Sequence, residues 1–164
     1  MKDLEVNCKE GQVCQIGIVV RDLEESVKRM YHDFNIGPWY FWDFEQPALT
    51  DMYYKGEPMK GYGFKIALAS LGPVQCELIQ PLYGEGTHTE FLAKKGEGFH
   101  HMKLYFKDPY KVLETFKDKG IMPLQSGRYG DDIHIYLDTE KTHGYLLELG
   151  NNCEIGKYLK KYPE

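Results

Sequence analysis

Residues 15–22 read QIGIVVRD, and residues 101–108 read HMKLYFKD. Both stretches are rich in the bulky apolar residues that are typical of a β-strand, and both end at an aspartate. Apolar residues recur at helical spacing after each aspartate, whose carboxylate can accept hydrogen bonds from the first free amides of a helix. The sequence therefore predicts the same strand and helix twice, with Asp22 and Asp108 as the N-terminal caps.

The repeat extends over most of the chain. An offset of 86 residues carries Asp22 onto Asp108 and also carries Gln15 onto His101. β-branched and aromatic residues mark further strand-like segments at 62–69, 74–80, 132–138 and 144–149. The aromatic-rich stretch 39–64 is expected to add another strand and to send most of its rings into the core. The sequence predicts an α+β protein of two tandem βαβββ modules, which form a curved, partly open, eight-stranded mixed β-sheet cup.

The chain is expected to fold as a single domain over residues 1–164, because no linker or charge block separates the modules. Module one covers about residues 12–82, and module two covers about residues 98–150. The glycine-rich, polar segment 82–98 is interpreted as a flexible bridge. The tail 151–164 is interpreted as a short surface helix or a frayed end.

Composition excludes several classes of protein. Hydrophobic residues make up 42% of the chain and aromatic residues 14%, which excludes disorder and allows a sizeable core. The net charge of −5, without a basic stripe, argues against nucleic-acid binding. The first residues lack the order of a signal peptide, and no apolar run approaches the roughly 20 residues that span a bilayer. We therefore expect a cytoplasmic protein without a membrane partner, with free thiols at Cys8, Cys14, Cys76 and Cys153.

Strand alternation gives each of four strands a face that bears one polar donor. These donors are Gln15, Glu77, His101 and Glu148. The two glutamates lie in apolar strands, where a buried carboxylate needs a cation to offset its desolvation. A pseudo-twofold arrangement of the modules would bring the four donors to one divalent ion, and this donor set suits Zn, Ni, Co, Mn or Mg. By the same alternation, His100 is expected to face the other side of the sheet.

Four segments resemble the vicinal-oxygen-chelate superfamily, also called the glyoxalase/bleomycin resistance/dioxygenase superfamily: QIGIVVRDLEESV, CELIQP, GEGFHHMKLYFKD and HGYLLELG. The resemblance covers roughly residues 13–150 and is nearest to members that are similar to methylmalonyl-CoA epimerase and to glyoxalase I. It implies a glyoxalase-like fold and metal ligands at the four donor positions. Epimerase-like members usually have histidine where this chain has Gln15, whereas glyoxalase I of the zinc type uses glutamine there.

The resemblance implies a metal-dependent isomerase or lyase, which moves a proton beside the metal-bound carbonyl of a small acyl thioester, hemithioacetal or keto acid. Glu148 would act as the base, and Glu77 would return a proton on the other face of the substrate. One alternative is a metal-free protein of the bleomycin-resistance type that binds a drug or metabolite. Another is a non-heme iron dioxygenase, although such enzymes usually use two histidines and one carboxylate.

Further polar residues on the same face predict a small-molecule substrate pocket. Lys103 and Tyr105 alternate with His101 along one strand, and His134 and Tyr136 lie on a facing strand. Lys103 would bind a substrate carboxylate or phosphate, or it would instead reach out to the rim. The alternative role of His134 and Tyr136 is that of satisfied core residues. The exposed edges of such a sheet favour a homodimer.

Overall fold

Two similar sets of elements follow one another along the chain. The computed structural model describes residue 4, residues 7–151 and residues 155–164. The first half contains β1 (Val13–Val19), α1 (Leu23–Phe34), β2 (Trp39–Glu45), β3 (Leu49–Tyr54), β4 (Glu57–Pro58), β5 (Gly63–Leu71), β6 (Val74–Tyr83) and α2 (Thr87–Lys95). The second half contains β7 (Gly98–Tyr105), α3 (Pro109–Lys117), β8 (Pro123–Tyr129), β9 (Asp132–Leu137), α4 (Glu140–His143), β10 (Leu146–Gly150) and β11 (Lys160–Tyr162).

The two predicted aspartate caps are confirmed. The side chain of Asp22 accepts a hydrogen bond from the backbone N–H of Glu25, and that of Asp108 accepts one from Lys111, both at 3.1 Å. α1 and α3 begin at the residue after each cap. Each first strand is thus followed by a turn of fixed length, which places α1 and α3 on the same outer face of the sheet.

The centre of the sheet has the pseudo-twofold arrangement that the repeat predicts. β1 and β7 pair with each other antiparallel, whereas β6 pairs with β1 and β10 pairs with β7 in parallel. The first and last strands of both modules are therefore neighbours, in the order β6-β1-β7-β10. This order is what allows side chains that are far apart in sequence to meet.

The prediction of eight strands was wrong, because the described residues form one sheet of eleven strands in the order β11-β2-β5-β6-β1-β7-β10-β9-β8-β3-β4. The hairpin β3–β4 comes from the aromatic-rich stretch and pairs through β3 with β8 of the second module. β11 pairs with β2, so the tail contributes an edge strand where a helix or a frayed end was expected. The ring of Tyr162 packs edge-on against Tyr31 of α1, at 5.6 Å between centroids, and fixes this strand.

The segment between the modules is also more ordered than the sequence predicts. Residues 82–98 contain α2, whose first two residues, Thr87 and His88, are buried. The two ring nitrogens of His88 lie 2.7 Å from the hydroxyl of Tyr62 and 3.1 Å from that of Tyr136. These bonds fix the start of the helix to both halves of the sheet, so the bridge is not flexible at this end.

Apolar packing covers both faces of the sheet. As predicted, most of the aromatic-rich stretch is core: Trp39, Tyr40, Phe41, Trp42, Phe44, Tyr62 and Phe64 are buried. α1 covers the outer face of the first module and α3 that of the second, whereas the inner face carries an aromatic and aliphatic cluster beside the buried polar side chains. Within the described part of the chain, none of the helices combines the length and apolarity that a bilayer crossing requires. Cys8, Cys14 and Cys76 are free thiols, and Cys153 lies outside the described residues.

Candidate metal centre

The four predicted metal ligands lie on the four central strands. They are Gln15 on β1, Glu77 on β6, His101 on β7 and Glu148 on β10. In the strand register, Gly17 of β1 lies directly opposite both Glu77 and His101. Side chains that are opposite each other in neighbouring strands lie on the same face. The pairing therefore brings the four side chains to one face of the sheet.

Gly17 makes room for the imidazole at the centre of this surface. A Cβ atom at position 17 would lie far inside van der Waals contact with Cε1, Nδ1 and Nε2 of His101. The ring of His101 therefore lies directly over the backbone of β1, where it is fully buried. Glycine is required at this position because any side chain would displace the ring.

The Nε2 atom of His101 lies between two carboxylates. It is 2.9 Å from Oε2 of Glu148 and 3.4 Å from Oε2 of Glu77. Despite these short distances, His101 Nε2 and Glu148 Oε2 have no partner in hydrogen-bond geometry among the described residues. Neighbouring donors of a metal with bonds of about 2.1 Å lie about 3.0 to 3.4 Å apart. Each of the two distances from His101 Nε2 fits a pair of donors that share one ion.

Gln15 is oriented by a second glutamine. Its amide nitrogen donates to Oε1 of Gln75 at 3.1 Å, and the amide nitrogen of Gln75 donates to the backbone oxygen of Leu4 at 2.8 Å. With its nitrogen committed to Gln75, Gln15 has its carbonyl oxygen available as a ligand. Hydrogen bonds of this kind orient the ligands of many metal sites.

Lys103 is buried on the same face of the sheet as Glu148, so the alternative in which it reaches the rim is wrong. The side chain is buried, and its Nζ lies 3.4 Å from Oε1 of Glu148 and 4.0 Å from Oδ1 of Asp132. Gly150 on β10 leaves the space that the lysine stem occupies. Glu148 is therefore held from two sides, by the ring of His101 and by the ammonium of Lys103.

The charges of this cluster shift one another's pKa values. Burial alone would lower the pKa of His101, but the carboxylates of Glu148 and Glu77 raise it to about 9. Burial would raise the pKa of Glu148, but Lys103 and His101 lower it to about 2. Burial also opposes the charge of Lys103, yet Glu148 and Asp132 raise its pKa. At neutral pH the metal-free cluster therefore contains a protonated His101 and an ionised Glu148.

The remaining predicted pocket residues differ in how close they come to this cluster. The ring of Tyr136 lies 5.0 Å from that of His101, centroid to centroid, and its hydroxyl bonds to His88. His134 is buried, its Nε2 has no hydrogen-bond partner among the described residues, and burial lowers its pKa to about 4. Tyr105 is half-buried, and its backbone groups bond to Gly11 and Gln12.

The prediction that His100 faces away from His101 was wrong. β7 has a bulge here, because Gly17 pairs with His101 but the next residue of β1, Ile18, pairs with Phe99. The extra residue breaks the alternation and turns both histidines inward. His100 is 1% exposed, and its Nδ1 lies 3.0 Å from Nδ1 of His101.

His88 was not foreseen either. Its ligand nitrogen and those of His100 and His101 all lie within 4.8 Å of one another. The signal in the sequence was the doublet His100-His101, since a bulge can turn two adjacent side chains of a strand to the same face. His88 carried no such signal, because it lies in a segment that was interpreted as a flexible bridge.

The chain belongs to the glyoxalase/bleomycin resistance protein/dioxygenase superfamily, since the model of that family matches residues 14–137. This match confirms the resemblance that the four sequence segments predicted.

Similar proteins include epimerases. The uncharacterized protein YqjC of Bacillus subtilis (strain 168) is 30% identical over 115 residues, which are 68% of this chain and 79% of that protein. The mitochondrial methylmalonyl-CoA epimerase of Mus musculus is 25% identical over 146 residues, which are 86% of this chain and 73% of the epimerase. A solved structure of a Streptomyces coelicolor methylmalonyl-CoA epimerase variant with 2-nitronate-propionyl-CoA has a TM-score of 0.61 at 20% identity, and covers 87% of this chain and 97% of its own. This last similarity shows the fold.

Proposed function

We propose that the protein is a metal-dependent isomerase of the epimerase type, which moves a proton beside the carbonyl of a small acyl thioester. The observation that carries the proposal is the buried Nε2 of His101, which lies 2.9 and 3.4 Å from two carboxylates without hydrogen-bond geometry. Membership of the superfamily and the similarity to methylmalonyl-CoA epimerases support the reaction class.

One divalent ion, Zn, Ni, Co, Mn or Mg, would be held by Gln15, Glu77, His101 and Glu148. When bound, such an ion supplies a Lewis acid that polarises a substrate carbonyl and makes the neighbouring C–H more acidic. Two carboxylates and a neutral imidazole suit a divalent cation, and the buried position of the cluster keeps water away from the carbon that loses its proton.

The two glutamates are the proposed acid and base. They approach His101 from β6 on one side and from β10 on the other. Glu148 takes the proton from the carbon beside the carbonyl, and Glu77 returns one on the opposite face, which inverts that carbon. If Glu148 acted alone, the proton would exchange with solvent, and the carbon would keep its configuration.

Lys103 is the proposed binding group for a substrate carboxylate. Its ammonium lies beside Glu148 on the inner face of the cup, and His134 and Tyr136 lie on the neighbouring β9. A carboxylate bound to Lys103 would compete with Glu148 for the same positive charge. Glu148 then becomes a stronger base, because its cation has gained a second partner.

The proposed metal position would bind a carbonyl, and the ammonium of Lys103 lies close to it. This combination indicates the substrate class. The mouse relative is a methylmalonyl-CoA epimerase, and methylmalonyl-CoA combines an acyl thioester with a free carboxylate. We therefore propose a carboxylated acyl thioester for this chain. Hemithioacetals and keto acids are the other substrates with the same proton chemistry.

The proposal is tested by proton exchange in D2O. Zinc-loaded protein is incubated with methylmalonyl-CoA, and NMR follows the loss of the proton between the two carbonyl groups. We expect exchange that requires protein and metal and that is lost in the Glu148→Gln variant. A protein that exchanges no proton of a thioester, hemithioacetal or keto acid with any of the five metals would contradict it.

A second candidate, a metal-free protein that binds a drug or metabolite, is favoured by one observation. Lys103 and the protonated His101 supply two positive charges beside the carboxylates of Glu77 and Glu148 without any metal. Tight binding of an aromatic ligand that is unaffected by a chelator, in a protein that takes up no zinc, would favour this function.

We also propose a homodimer, because the described sheet ends in two edge strands, β11 and β4, at which a second copy could pair. Size-exclusion chromatography at several concentrations tests it, and a monomer at all concentrations would contradict it.

A further inference from the structure

The bulge in β7 places a second histidine behind the candidate ligand. Nδ1 of His100 lies 3.0 Å from Nδ1 of His101, whose other nitrogen faces Glu77 and Glu148. We propose that His100 is a positioning residue, which accepts the Nδ1–H of His101 and thereby keeps Nε2 of His101 aimed at the two carboxylates. This inference rests on the metal site of the proposed function.

Counting protons assigns the roles in this contact. Two ring nitrogens at hydrogen-bond distance need one N–H and one lone pair between them. A metal on His101 Nε2 takes that lone pair, so the proton of a neutral His101 is on Nδ1 and points at His100. In the metal-free protein a protonated His101 also carries Nδ1–H. In both states His101 donates and Nδ1 of His100 accepts.

The second nitrogen of His100 continues the chain of hydrogen bonds. With a lone pair on Nδ1, a neutral His100 carries its proton on Nε2, which lies 3.0 Å from Oγ1 of Thr87. Thr87 is the first residue of α2, and its backbone N–H donates to Oε1 of Gln125 on β8 at 2.8 Å. The orientation of His101 is thus tied to the helix that joins the modules.

Aromatic neighbours prevent the ring of His100 from turning. Its centroid lies 4.9 Å from the ring of His88, 5.2 Å from that of Phe91 and 5.4 Å from that of Tyr136. If the ring flipped, carbon atoms would take the places of Nδ1 and Nε2 in the contacts with His101 and Thr87. In a buried position the lost hydrogen bonds would have no replacement from water.

A second metal ion bound by His88, His100 and His101 is the competing interpretation of this cluster, because their nitrogens lie within 4.8 Å of one another. Both nitrogens of His88 already face tyrosine hydroxyls, and both nitrogens of His100 face other partners. A metal would have to replace several of these buried hydrogen bonds. The contacts therefore favour a chain of hydrogen bonds that orients His101 at one metal site.

The test compares two substitutions of His100. In His100→Asn the side-chain oxygen can take the place of Nδ1 and still accept from His101, whereas His100→Leu removes the acceptor. Calorimetric titration with zinc should show affinity that falls about 10- to 100-fold in His100→Leu and is largely kept in His100→Asn. The exposed His143→Asn is the matched control, and circular dichroism checks that each variant is folded.

A second pair of variants and a spectroscopic signature keep the test decisive if His100→Leu does not fold. Thr87→Val removes the partner of His100 Nε2–H, and Thr87→Ser keeps it. Nitrogen-15 NMR should find His100 in the Nε2–H form in the wild-type protein, with or without zinc. The Nδ1–H form, zinc binding in His100→Leu equal to the control, or two zinc ions per chain would overturn the inference.

A failure of the proposed function can be distinguished from a failure of this inference about His100. If the wild-type protein takes up no zinc, the proposed metal site is wrong. The tautomer of His100 in the metal-free protein, read by NMR, still tests whether His100 orients His101. The Nε2–H form supports His100 as the residue that orients His101, and the Nδ1–H form overturns it.

Discussion

The two modules are related by an offset of 86 residues, yet they place opposite kinds of residue at one equivalent position. Two residues after Gln15 the first module has Gly17, and two residues after His101 the second module has Lys103. Gly17 provides the space that the His101 ring fills, whereas Lys103 fills its own space and neutralises Glu148. The repeat thus determines the arrangement of the strands, and residues that differ between its halves form the polar cluster.

The carboxylates of the two modules also differ, in their burial and in their charged neighbours. Glu148 is almost fully buried and lies between His101 and Lys103, whereas Glu77 is more exposed and, among the described residues, forms its ion-pair contact with His101. A carboxylate between two cations is held in its charged form, which is why the pKa of Glu148 lies below its usual range despite burial. The asymmetry suits a pair in which the two acids serve opposite faces of a substrate.

The largest effect is expected from Glu148→Gln. Because this change removes a proposed ligand and the proposed base together, we expect activity to fall by about a thousandfold and zinc affinity to fall with it. The measurements are proton exchange by NMR and zinc titration. Glu114→Gln on the outer surface of α3 should change neither, and equal activity of the two variants would refute the role of Glu148.

Lys103→Met is expected to have the next largest effect, on the stability of the metal-free protein. Removing one partner of a buried ion pair should cost about 3 kcal/mol of unfolding free energy, because Glu148 loses its compensating charge. Zinc should restore part of this loss, since a divalent ion can compensate Glu148 in place of the ammonium. Urea denaturation with and without zinc measures both quantities, with the partly exposed Lys117→Met as control. Equal losses in both states would contradict the interpretation.

Gly17→Ala should cost about 2 kcal/mol by overpacking. The new methyl group would push against the ring of His101, so the loss should shrink in a His101→Ala background where the ring is absent. Thermal and urea denaturation of the two single variants and the double variant measure this coupling. Additive losses would show that the ring does not lie over β1.

The smallest effect is the release of a proton on metal uptake. The pKa of His101 is raised to about 9, so the metal-free protein holds this proton at pH 7, and zinc must displace it to reach Nε2. We expect release of about one proton per zinc at pH 7 and an affinity that rises with pH until about pH 9. Calorimetry in buffers of different ionisation enthalpy measures the release, and none at pH 7 would rule out His101 as a ligand.

Sequence patterns could predict the elements that local rules determine. The aspartate caps, the repeat and strand alternation were enough to place Gln15, Glu77, His101 and Glu148 on neighbouring central strands. These predictions succeeded because capping and alternation depend on residues that are close in the chain.

The features that sequence patterns missed depend on contacts between distant segments. The inward turn of His100 comes from a bulge that is defined only by pairing with β1, and the start of α2 is fixed by bonds from His88 to both halves of the sheet. The edge strand β11 exists because β2 offers it a free edge. None of these partners is visible in the local sequence.

The most direct measurement is a crystal structure of cobalt-loaded protein with anomalous diffraction recorded at the cobalt edge. The central claim predicts one peak per chain, within bonding distance of Gln15, Glu77, His101 and Glu148. A peak among His88, His100 and Tyr136, or the absence of a peak between His101 and the two glutamates, would contradict it.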